Sequence, residues 1–159
     1  MTTRAASPAA QLNAFLAKFS PDVCRTAKAA LVKMRTRLPG ATELVYDNYN
    51  ALAIGFSSTD RASAAIFSIA VFPRWVSLFF LQDGPDLPDP HGVLKGGGTL
   101  VRHVRLASAA DLDTPPIRAL MAEALRRADP PLDTRGKRRL IIKSVSKKQR
   151  PRRVAARRR

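Results

Sequence analysis

The stretch "VLKGGGTLVRHVRL", residues 93–106, decides between two fold classes. Three glycines beside a lysine and a threonine look like a phosphate cradle, and an alternating run follows them. A nucleotide loop of the Walker kind needs Gly-x-x-x-x-Gly-Lys-Ser/Thr between a strand and a helix, because the helix N-terminus supplies the N–H groups that hold the phosphates. Here Lys95 precedes Gly96, Gly97 and Gly98, and the residues from Thr99 onward alternate as a strand does. The required helix is missing, and a dinucleotide-binding fingerprint fails on the same ground. The glycines read as a turn that feeds a basic strand.

Working outward, the order of elements agrees. Ser7-Pro8 and Ser20-Pro21 are helix openings, a hydroxyl followed by proline at the first helical position. Leu12, Phe15, Leu16 and Phe19 recur at helical spacing after the first, and Val23, Ala27, Ala30, Leu31, Met34 and Leu38 after the second. Pro39-Gly40 stops the second helix, glycine being suited to a left-handed exit. From residue 43 the period changes. "ELVYDNYNALAIGF" predicts two strands around Asn48-Tyr49-Asn50, and "AAIFSIAVF" and "WVSLFFLQ" predict two strands joined at Pro73-Arg74. Residues 83–98 form a long loop rich in glycine and proline, and residues 99–106 a fifth strand. "TPPIRALMAEALRRA" predicts a third helix with Thr114 as its cap, and "RRLIIKSVS" a last strand. Adjacent strands with helices segregated at the two ends predict an α+β sandwich: two N-terminal helices, a mainly antiparallel sheet of five to six strands and one C-terminal helix.

Length and composition set the remaining bounds. The 159 residues, 45% apolar, suffice for one domain with a real core. A single cysteine, Cys24, forms no internal disulfide, which predicts a reducing, cytoplasmic setting. No apolar run is long enough to span a membrane, and "MTTRAASPAAQLNAFLAKF" lacks the pattern of a secretory signal. Residues 1–146 carry 20 Lys+Arg against 12 Asp+Glu, while residues 147–159, "KKQRPRRVAARRR", carry eight cations and no acid. The expected organisation is a domain over 1–146 and a disordered basic tail over 147–159.

Two binding roles follow. Glycine-rich backbone exposes N–H groups in a concavity that attracts anions. Lys95, Gly96, Gly97, Gly98, Thr99 and Arg102 are one candidate anion site, with Tyr46, Asp47 and Trp75 as its polar-aromatic wall. Arg102 shares a core-facing strand side with Leu100, Val104 and Leu106. It therefore needs a carboxylate such as Asp47 or Asp83, a bound anion, or a rim position with its head in water. The plainer reading of Tyr46, Asp47, Asn48 and Tyr49 is turn chemistry and core packing. The tail cations Lys147, Lys148, Arg150, Arg152, Arg153, Arg157, Arg158 and Arg159 are candidates for sequence-tolerant contact with nucleic acid phosphates; the alternative is a solubilising appendage. Without zinc-finger or recognition-helix patterns, nothing in the sequence reads bases.

Catalysis and cofactors find little footing. Cys24 on a helix reads as a small packed hydrophobe, and no serine stands in a Gly-x-Ser-x-Gly elbow. Asp83, Asp86, Asp89 and His91 lie in one proline-stiffened loop without the spacing of a calcium site. No enzyme, resident cofactor or metal site is expected.

Four phrases in order, "LPGATELVYDNYNALAIGF", "FPRWVSLFFLQ", "LPDPHGVLKGGGTLVRHVRL" and "IIKSVSKKQRPRR", resemble the YdhG-like bacterial domains of unknown function. The resemblance spans roughly residues 10–153. It implies a small α+β domain and, because some relatives are described as frataxin-like iron chaperones, an iron-binding alternative that would use the 83–91 loop.

Overall fold

The computed structural model describes residues 5–154. Helices α1 (Pro8–Ala17) and α2 (Pro21–Arg37) come first, followed by strands β1 (Thr42–Asp47), β2 (Leu52–Ser57), β3 (Ala65–Val71), β4 (Val76–Phe80) and β5 (Arg102–Leu106). Helix α3 (Pro115–Arg127) and strand β6 (Arg139–Val145) complete the chain. The class is α+β.

The local signals act unevenly. Ser7 caps α1 through its hydroxyl, which accepts from the Ala10 N–H at 3.1 Å. Ser20 makes no such bond, and the Thr114 hydroxyl donates instead to the Asp111 carbonyl. Proline at the first position opens both of those helices without a side-chain cap. Gly40 leaves α2 at φ +82°, where a Cβ would also stand 2.3 Å from the Asp133 carbonyl oxygen. Only glycine fits there.

The sheet runs β5-β4-β3-β2-β1-β6. Successive strands β1 to β5 pair antiparallel, whereas β6 lies parallel to β1 at the far edge, so the sheet is mixed. The parallel pair arises because α3 and the segment after it return the chain to the end where β1 begins. One side of the sheet, with Val45, Ile54, Phe56, Phe67, Ile69, Leu78 and Phe80, joins the buried faces of all three helices in one core. Cys24 packs against that core. Among the described residues no helix is long and apolar enough to cross a membrane.

Two expectations change. The fifth strand starts at Arg102 rather than Thr99, because the Leu100 carbonyl is taken by the Gly84 N–H of the preceding loop. The tail does not leave the domain at residue 147. Residues 147–154 lie along it, and the expected disordered segment is corrected for that stretch; residues 155–159 lie outside the described ones. The cause is a charge left inside the fold. Asp47 ends β1 at 1% exposure, and Arg152, itself 5% exposed, reaches its Oδ1 at 2.8 Å.

Candidate nucleic-acid interface

Strand register determines which loops share an end of the molecule. Asp47 faces Leu52, Leu52 faces Val71, Val71 faces Val76 and Val76 faces Leu106, while Asp47 also faces Val145. The 48–51 turn, the 72–75 turn, and the chain leaving β5 and β6 therefore emerge together. Each turn is closed by a backbone bond, Asn48 N–H to the Ala51 carbonyl and Phe72 N–H to the Trp75 carbonyl.

These turns carry aromatic residues that arginines cover. Phe72 and Trp75 stack with ring centres 4.7 Å apart. The Arg105 guanidinium lies over Trp75 at 4.4 Å, a diagonal cross-strand contact made possible by the pairing of Ser77 with Arg105. Arg150 sits over Tyr49 at 5.7 Å, brought there by its own N–H, which donates to the Tyr49 carbonyl. Arg74, exposed at the tip of its turn, separates two clefts. The first, of about 400 Å³, lies between Asp22 and Thr26 of α2 and the Trp75–Arg105 pair. The second, of about 450 Å³, lies between Trp75 and Arg150, with Asn50 and Phe72 in its wall. Among the described residues lining the two clefts, Asp22 is the one carboxylate, and it is bound by Arg25 at 3.2 Å.

The segment after β6 is a strap over this end. Ser146 N–H and the Gln149 amide donate to the Asp47 carbonyl, and Arg153 donates to the carbonyls of Ala17 and Lys18 at the close of α1. Those carbonyls are unsatisfied within the helix, and a cation there also meets the negative end of the helix dipole. Arg152 donates to the Asn48 and Tyr49 carbonyls besides Asp47, and its head lies over Phe19. Arg152 is thus an internal fastener, which removes it from the expected phosphate-binding set, whereas Arg153 fastens the strap from an exposed position. Arg150 lines the second cleft, Lys147 and Lys148 are exposed on the strap, and Arg157, Arg158 and Arg159 lie outside the described residues.

The expected anion site keeps its glycine loop and Arg102 together but not its wall. Lys95 forms a two-way backbone bridge with His103, and Gly96, Gly97, Gly98 and Thr99 form an exposed loop. Arg102 has neither Asp47 nor Asp83 as partner; its guanidinium donates to the Gly98 and Val101 carbonyls and ties the loop to its own strand. It takes the rim position, half-buried. Tyr46 and Asp47 stand on β1, with β2, β3 and β4 between them and β5. Trp75 belongs to the other cluster. The wall and the loop were expected side by side because sequence gives no strand order.

No family model, curated protein or solved structure matches the chain. Among the described residues no group of three or more His, Cys, Asp or Glu could hold a metal ion. In the 83–91 loop the Asp89 carboxylate accepts from the N–H groups of Val93 and Leu94, a turn-closing role. The iron alternative gains no donor set from these residues.

Sequence reading passed over Arg74 as a binding residue. A signal did exist for the strap. Asp47 terminates an apolar strand, and a buried carboxylate requires a partner. The chain's surplus cations lay in the C-terminal segment.

Proposed function

We propose that this chain is a non-enzymatic, cytoplasmic nucleic-acid-associated module of the YdhG-like kind, binding phosphate backbones through the strap end of its sheet. The observation that carries the reading is the convergence of Arg74, Arg105 and Arg150 around Trp75 and Tyr49, from two turns, the end of β5 and the strap, which also carries the exposed Lys147 and Lys148. Cations neutralise phosphates and release counterions, while aromatic and guanidinium planes accept bases without regard to sequence. The similarity of four phrases to YdhG-like domains, and the two-helix, sheet, helix order, support the family and the frataxin-like description of the sandwich.

The test is a fluorescence-anisotropy titration of labelled nucleic acid at several salt concentrations, comparing the full chain with a version ending at residue 154. Cutting at 154 removes Arg157, Arg158 and Arg159 and keeps Arg152 on Asp47; cutting at 146 would strip Asp47 of its partner and confuse binding with unfolding. With about six phosphate contacts, the log–log salt slope on duplex is near −5. The shortened chain retains binding with a shallower slope, and Arg74→Ala with Arg150→Ala weakens it further. Absence of salt-sensitive binding by the full chain would end this reading.

A further inference from the structure

We propose that the two clefts flanking Trp75 take consecutive nucleotides of a single strand, with Arg74 on the phosphate between them. The inference rests on the nucleic-acid reading above and adds the type of strand and the unit of recognition. A duplex hides its base faces in its own stack and offers phosphates, for which an exposed spread of cations suffices. This end of the molecule is concave instead. Its clefts, of about 400 and 450 Å³, fall within the size range of small-ligand sites. The Trp75 ring is held between Phe72 and Arg105, so the plane offered to the first cleft is the Arg105 guanidinium and that offered to the second is the Phe72 ring.

The charges give the strand an orientation. Asp22 lines the first cleft with one carboxylate oxygen held by Arg25, and the other accepts from a base N–H, such as the thymine N3–H. A base enters that cleft against the Arg105 guanidinium that Trp75 backs, as unpaired bases do on guanidinium planes. Arg74 lines both clefts and is exposed, so the phosphate joining the two nucleotides meets it. Arg150 lines the second cleft, where Asn50 offers an amide to the next base.

Trp75 is the only tryptophan of the chain, so its emission reports the proposed site in the unmodified protein. The probes are thymidine mononucleotide, the dinucleotide, an oligothymidylate of about twelve nucleotides and a duplex of equal length. The oligothymidylate is expected to quench Trp75 emission in step with its anisotropy-detected binding, and to bind more tightly than the duplex at equal salt. The dinucleotide is expected to bind at least about tenfold tighter than the mononucleotide, the measure of a second occupied cleft. Arg74→Ala, at an exposed turn tip, is expected to remove that gain. Binding of the oligothymidylate with Trp75 emission unmoved, or duplex binding of equal strength with no dinucleotide gain, would overturn the two-cleft proposal while leaving nucleic-acid association intact. Failure of every probe to bind by either readout would overturn both.

Discussion

Replacing Arg152 by alanine tests the claim that the C-terminal strap is part of the folded domain. The substitution leaves the Asp47 carboxylate 1% exposed, with its 2.8 Å partner gone. It also removes donors from the Asn48 and Tyr49 carbonyls, though a turn at the surface lets water replace those in part. Breaking a buried pair from one side costs about 3–5 kcal/mol, because the remaining charge is neither hydrated nor compensated. At about 2–4 °C per kcal/mol for a chain of this length, the melting temperature falls by roughly 6–20 °C. The assay is urea denaturation followed by far-UV circular dichroism, for the wild type, Arg152→Ala, Asp47→Leu and the double variant Asp47→Leu/Arg152→Met. The double variant removes both charges and fills their volume, so it is expected within about 2 kcal/mol of the wild type, far less than the two single losses together. A loss under about 1 kcal/mol for Arg152→Ala, or single effects that simply add in the double variant, would refute the buried-pair argument.

Other consequences are open to similar checks. Glu43, 1% exposed, accepts from Arg35 and Arg138, whose side chains are 26% and 53% exposed. Its replacement by glutamine leaves cations that water reaches, so the expected loss is about 1–3 kcal/mol, smaller than for Arg152→Ala in the same urea series. Gly40→Ala meets both a positive φ and the Asp133 carbonyl, and the melting temperature is expected to drop by an amount equivalent to about 2 kcal/mol or more. Hydrogen bonds from Arg126, then from Arg127, hold Glu123 down from 4.5 to about 2. Its folded value lies below the unfolded one, so its contribution to stability is complete above pH 4.5 and fades as pH falls towards 2. Glu123→Gln is therefore expected to be less stable than the wild type at neutral pH, with the gap closing over that acid window in thermal melts.

How much of this was legible in the chain depends on the range of the interaction. The helix starts at Pro8, Pro21 and Pro115 and the strands from Thr42 to Phe80 follow from proline geometry and the spacing of apolar side chains, which act over a few residues. The glycine-loop argument belongs with them: a strand after Thr99 instead of a helix is a local fact, and it excluded the nucleotide folds. Net charge and its concentration at the C-terminus were likewise readable from composition. Strand order was not. Three strands separate Asp47 on β1 from Arg102 on β5, and the parallel return of β6 beside β1 delivers Arg152 to Asp47 instead, a pairing across 105 positions of chain. Burial of Asp47 then makes that pairing strongly favoured, since a carboxylate held away from water takes whichever cation the topology supplies. The same row of register brings Arg74, Arg105 and Arg150 to the aromatic turns. Local chemistry thus chose the elements, and the order of strands in the sheet chose which charges meet.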